Sequence, residues 1–195
     1  MSDAREEILA RVRAALAEVS PAVEVPAPPR VTPVADLVGL FRERVEDYRA
    51  TVSRCSSEDL PAVVATTVSG LSVVVPHGLG LEVPGSVTDD GLAAVELDAI
   101  DAVVTAARVA IAETGTIVLD HAADQGRRAI SLVPDLHVCI VREDQIVTDV
   151  PDAIALLDPT RPLTWISGPS ATSDIELTRV EGVHGPRTLH VIVVA

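Results

Sequence analysis

The sequence predicts an α/β fold, with a mostly parallel sheet covered by helices on both faces and a helical arm at the N-terminus. Three observations carry this. Short Val- and Ile-rich runs alternate with amphipathic stretches, the pattern of strands buried on both faces and linked by helices. Hydrophobic residues make up 48% of the 195 residues but aromatic ones only 2%, so the core must be packed from Val, Leu, Ile and Ala. Five prolines fall within SPAVEVPAPPRVTP, residues 20–33, and set the first helix apart from the rest of the chain. The expected organisation is an arm over residues 1–34 and one domain over residues 35–195. A chain of this length buries roughly 70% of its unfolded surface.

Each element has its own signal. Residues 2–19 repeat Ile8, Leu9, Val12, Leu16 and Val19 on one helical stripe, with Asp3, Glu6 and Glu7 near the start, where the helix dipole favours acids. That arm either packs on its own domain or docks on another subunit. A second helix over 35–50 places Leu37, Leu40, Phe41, Val45 and Tyr48 on one side. ATVSRC reads as a strand. SSEDLPAVVATTVSG reads as a helix capped by Ser56 or Ser57, with Pro61 in its first turn. LSVVVP is a β-branched strand, and AVVTAARVAIAETGTIVLD holds strand material on both sides of a polar interruption. Then come a short helix in GRRAISLVP, a strand in LHVCIV, a helix in VPDAIALL, and strands in LTWIS and TLHVIVVA.

Composition excludes several kinds of chemistry. All 15 basic residues are Arg, which rules out a lysine Schiff base and a Walker-type phosphate lysine. The net charge of -14, with no basic stripe, opposes nucleic acid and anionic membrane surfaces. Cys55 and Cys139 stand far apart without a CxxC, so the chain is expected to carry no metal, cluster or other cofactor of its own. The N-terminus lacks a signal pattern and no apolar run nears membrane length; the expectation is a soluble, cytoplasmic protein without membrane insertion.

Three polar stretches break the apolar background at places where strand ends would bring loops together. In IAETGTIVLD, Glu113 interrupts two apolar segments and is followed by Thr114, Gly115 and Thr116. A carboxylate there is costly unless solvated, hydrogen-bonded or functional. Glu113 is either a nucleophile or base at a strand end, or a brace for a β-bulge through the threonine hydroxyls. In WISGPSATSDIELTRVEGVHGP, Gly168 and Pro169 break the chain after Ser167, and Ser173 to Glu176 has capping-box spacing. Freed N–H groups beside Ser170 and Thr172 would suit a small carboxylate or phosphate. Asp174 and Glu176 would oppose an anion and suit a metal, a hydroxyl or a cationic partner. Otherwise the stretch is a well-capped turn. In EGVHGP, His184 before Gly185 is either an acid–base or ligating imidazole or a structural turn residue. His137 and His190 lie within strands and read as hydrogen-bonded sheet histidines. His77 is a further turn histidine, and the G-x-G beside it is a weak signal.

The phrases AETGTIVLD, LVPDLHVCIV and SGPSATSDIELTRVEGVHGPRTLHVIVV resemble the LUD-domain family, of the lactate-utilization protein C type, over roughly residues 35–195. The arm and Pro-rich linker are similar to those of the group. The resemblance implies a three-layer α/β/α fold of the kind shared by ribose-5-phosphate isomerase, glucosamine-6-phosphate deaminase and CoA transferases. It implies a part in oxidising L-lactate to pyruvate, beside one iron-sulfur and one cysteine-rich partner protein. Iron-sulfur clusters would then sit on the partners, because this chain lacks the cysteines for them. Glu113-Thr114-Gly115 resembles the acyl-linking glutamate of CoA transferases, an analogy at the level of fold. That leaves an alternative, a free-standing isomerase or acyl transferase with Glu113 as nucleophile or base and His184 as proton carrier. On the leading reading, Glu113, the stretch from Ser167 to Glu176 and His184–Gly185 line one pocket.

Overall fold

The computed structural model describes residues 4–18, 26–27, 34–169, 171–172, 180–181 and 184–195. Helix α1 (Ala4–Leu16) contributes no buried residue, and the stripe read from sequence stays open to solvent at Ile8, Val12 and Leu16. Helix α2 (Leu37–Asp47) starts where the Asp36 carboxylate accepts the Gly39 N–H at 2.7 Å. It buries Phe41 and Val45, as its period requires.

Strand β1 (Thr51–Cys55) leads into α3 (Leu60–Thr67), then β2 (Val73–Val75), β3 (Val87–Thr88), α4 (Ala94–Asp98) and β4 (Ala102–Ala106). The turn before α3 departs from the sequence reading. Asp59 holds the cap position, and the Ser56 hydroxyl instead accepts the Asp59 N–H at 3.1 Å while donating to its carboxylate at 2.7 Å.

Residues 102–119 hold three strands. After β4 the chain turns at Ala107–Arg108 into β5 (Val109–Ile111), and a hairpin returns it as β6 (Thr116–Leu119). A 3-10 turn over Arg128–Ser131 precedes β7 (Leu136–Arg142); β8 (Ile146–Val147), α5 (Val150–Leu156) and β9 (Thr164–Ile166) come next. The two-residue strands β10 (Ala171–Thr172) and β11 (Val180–Glu181) pair with each other, and β12 (Thr188–Val194) ends the fold.

Six strands form one all-parallel sheet in the order β1-β12-β7-β4-β2-β3. Its central strands are buried on both faces, which is why their sequences read as unbroken apolar runs. Side chains alternate between those faces. Val104, Val138, Ile140, Ile192 and Val194 meet Val64 and Val68 of the α3 segment. Cys139, Val141, Leu189, Val191 and Val193 meet Phe41 and Val45 of α2, together with Ala110, Ile117 and Leu119.

Those last three residues belong to a second, four-stranded sheet, β8-β5-β6-β9, which joins α2 in covering the parallel sheet. Its outer face, Val109, Ile111 and Val118, is closed by Ala153 of α5. The expected α/β fold with a mostly parallel sheet and an N-terminal helix thus forms, and much of one covering layer is itself a sheet.

Candidate functional site

The two ends of the polar stretch from Trp165 to Pro186, the signature stretch of the resemblance, meet the parallel sheet at a cleft of about 310 Å³. Ser167 and Gly168, just after β9, line one side; His184 and Gly185, just before β12, line another. His137 and Leu189, near the amino ends of β7 and β12, line it from the parallel sheet, and the 3-10 turn contributes Arg128 and Ser131. This corrects the expected place: the cleft lies at the amino ends of these strands, whereas the strand-end rule points to their carboxyl ends.

Gly168 has φ of +107°, and a Cβ there would stand 2.9 Å from the Tyr48 ring. Only glycine fits both constraints. The Tyr48 hydroxyl donates to the Gly115 carbonyl, and burial raises its pKa well above the usual phenol value. Gly115 has φ of +63° and lies against Arg44. Tyr48 therefore ties the β5–β6 turn to the start of the signature stretch. A chain of hydroxyls does the same, with Thr114 Oγ1 2.7 Å from Thr116 Oγ1, and Thr116 Oγ1 2.8 Å from Ser167 Oγ.

Glu113 itself is exposed in the turn between antiparallel β5 and β6, with its N–H donating to the Thr148 carbonyl at 3.1 Å. It stands in a hairpin turn instead of at a strand end of the parallel sheet, and it does not line the cleft. Thr114 and Thr116 connect to the cleft through Ser167. Thr172 contributes backbone to the β10–β11 pair. Ser170, Asp174 and Glu176, with the helix start expected at Ser173, lie outside the described residues.

His137 was legible only as a sheet histidine. It is buried, its Nε2 stands 2.8 Å from Thr105 Oγ1, and burial pushes its pKa down to about 4, so the imidazole is neutral at pH 7. It also lines the cleft, as do Trp165, which begins the polar stretch singled out in sequence, and Arg128, Ser131 and Thr164, which carry no site signal in sequence. His190, half-buried, pairs with Ser53 at 2.7 Å, and burial lowers its pKa.

A larger cleft of about 530 Å³ opens at the carboxyl ends of β2 and β3, lined by His77 and Asp89, which lie just beyond those strands, and by His121, Arg127 and Arg128. The Arg127 guanidinium grips Asp89 through two hydrogen bonds of 2.6 and 2.8 Å. That grip, with N–H donors from Leu92 and Gly91, holds Asp89 below the usual carboxylate range. His77 Nε2 pairs with Asp90 at 2.6 Å. His121 takes a left-handed backbone at φ of +56° and is held at both ring nitrogens, by the Gly126 carbonyl at 3.0 Å and by Thr164 Oγ1 at 2.9 Å. Thr164 lines the smaller cleft, so this hydrogen bond and Arg128 form the wall between the two.

Neither cleft offers a metal centre: no group of three His, Cys, Asp or Glu among the described residues has the geometry to hold an ion. The two cysteines point to opposite faces of the parallel sheet, Cys139 toward α2 and Cys55 toward α3, so they cannot act as a pair. Burial pushes the Cys139 thiol up to about 12 and raises Cys55 as well. No helix among the described residues is long and apolar enough to cross a membrane.

Residues 92–194 match the LUD domain. The chain is 48% identical to Lactate utilization protein C of Deinococcus radiodurans, over 99% of this chain and 96% of that protein. It is 35% identical to Lactate utilization protein C of Bacillus licheniformis, over 47% of this chain and 41% of that one. A crystal structure of a DUF162-family protein from Deinococcus radiodurans is similar at a TM-score of 0.71 and 43% identity, covering 83% of this chain and 98% of the other.

Proposed function

The chain belongs to the LUD-domain family, and from that membership we propose that it is a non-redox subunit of a lactate-utilization system. The observation that carries this is the near full-length identity to the Deinococcus radiodurans Lactate utilization protein C. In the proposed role it works in the cytoplasm on the oxidation of L-lactate to pyruvate, beside an iron-sulfur protein and a cysteine-rich protein that hold the redox centres. Two thiols on opposite faces of one sheet, both with raised pKa values, support assigning electron transfer to partners. The alternative of a free-standing acyl transferase gains no support from Glu113, which is exposed in a hairpin turn away from the cleft lining.

The test is a pull-down with the full chain from lactate-grown cells, together with deletion of its gene. The expected results are co-purification of a brown iron-sulfur protein and loss of growth on L-lactate, restored by re-expression. Normal lactate growth of the deletion strain would overturn the proposal.

A further inference from the structure

We propose that the cleft between β9 and the amino ends of β7 and β12 binds a small organic monocarboxylate, with Arg128 as the group that pairs with its carboxylate.

Charge is the first argument. The chain carries 29 acids against 15 arginines, yet no Asp or Glu occurs among the described residues lining this cleft. Among the described residues Arg128 is the one arginine that lines it, and none of them is its ion-pair partner. Its neighbour Arg127 is locked onto Asp89 in the other cleft. A guanidinium with neither an ion-pair partner nor an acid beside it among the described residues is a site for a planar anion, which its fork of N–H donors fits in two parallel hydrogen bonds.

The remaining lining sets the class of anion. His137 is neutral at pH 7, so it donates or accepts without adding charge. Ser131, Ser167 and His184 offer polar groups for a second oxygen on the ligand. Trp165, Ile166, Leu132 and Leu189 supply apolar wall. The described lining, with one fixed positive charge, a few hydroxyls and an apolar side, matches a singly charged 2-hydroxy or 2-oxo acid with a short carbon tail. A phosphate dianion would be under-neutralised and would leave the apolar wall unused. The volume of about 310 Å³ is at the small end of ligand sites.

The choice of probe rests on the proposed lactate-utilization role; the site rests on charge and shape. Trp165 is the protein's single tryptophan and lines the cleft, so its fluorescence reads occupancy directly. The full chain is titrated with L-lactate, pyruvate and, as a separate arm, inorganic phosphate. A saturable response to L-lactate or pyruvate is expected. Arg128→Gln should weaken it by about 10- to 100-fold, the range for losing a charge-assisted hydrogen bond, with an unchanged melting curve. Arg128→Lys should retain part of the affinity. Arg142→Gln, at the far end of β7 and paired with Asp144, should change nothing.

No response to either acid up to roughly 50 mM, weaker than any useful site, would overturn the inference. So would unaltered binding by Arg128→Gln, or tighter binding of phosphate than of both acids. Loss of lactate growth on gene deletion without carboxylate binding would sink the site and leave the function standing. Carboxylate binding with normal growth of the deletion strain would do the reverse.

Discussion

The two clefts share Arg128 but use their polar groups differently. In the carboxyl-end cleft, Arg127 is closed onto Asp89, His77 onto Asp90, and both ring nitrogens of His121 are held by the protein. In the amino-end cleft, no acid among the described lining residues faces Arg128, and the floor histidine is neutral. The first cleft is the larger and sits where ligands gather in open parallel sheets. Its ionic groups nevertheless complete one another and pin the loops after β2, β3 and β6. Position at a strand end is therefore a weaker guide than the pairing state of the charges, because a charge already paired gains little from a ligand.

The comparison breaks most visibly at the two adjacent arginines. Arg127→Gln should cost about 3 kcal/mol, because it strands the Asp89 carboxylate, whose side chain is only 5% exposed. Arg128→Gln should stay within about 0.5 kcal/mol of the parent, as an exposed residue without an ion-pair partner among the described residues should. Urea denaturation of both variants at pH 7 checks this. Equal stabilities would dissolve the distinction between the clefts.

The clefts should also lose stability in different pH windows. His137 titrates at about 4 in the fold against 6.5 when exposed, so the unfolded chain binds the proton first as pH falls. Its contribution is complete above pH 6.5 and drains away toward pH 4, by roughly 2 to 3 kcal/mol between pH 7 and 4.5. The Asp89 pKa is lowered too, chiefly by its hydrogen bonds to Arg127, but from a lower starting value: held below 3.8, it contributes fully above that value and is lost only at lower pH. Denaturation midpoints from pH 7 to 3 should show both phases, and His137→Gln should flatten the upper one while sparing the lower.

Smaller effects probe the frame of the amino-end cleft. Gly168→Ala forces a side chain onto the Tyr48 ring at a positive φ and should cost about 2 kcal/mol, with weakened carboxylate binding. Thr116→Val breaks the hydroxyl chain to Ser167 and should cost about 1 kcal/mol. Glu113→Gln, in an exposed turn, should change stability by less than about 0.5 kcal/mol. Thermal melts order the three, and a large loss from Glu113→Gln would restore that carboxylate to a structural or catalytic part.

Much of the fold was legible because burial writes a local period into a chain. The runs at 73–75, 136–142 and 188–194 are apolar without alternation because both of their faces are covered, and Phe41 and Val45 recur at helical spacing because one side of α2 is covered. The same rule hid the change of sheet at Ala107–Arg108. β4, β5 and β6 are buried on both faces, so nothing in their pattern marks which sheet each joins. In sequence Glu113 reads as an acid interrupting a buried segment, because the polar tip of a tight hairpin looks the same in one dimension.

The sequence by itself determined the alternation of strands and helices, the parallel character of the main sheet, a lysine-free acidic surface and a signature stretch dense in small polar residues. Only the tertiary structure decided that the beginning and end of that stretch, Ser167 and His184, meet Arg128, Ser131 and His137 at the amino ends of β7 and β12. The physical reason is range. Periodicity reports which face of an element is buried and acts over a few residues. Which loops converge depends on strand order and on the second sheet folding back over the first, long-range contacts that leave no periodic trace in the chain.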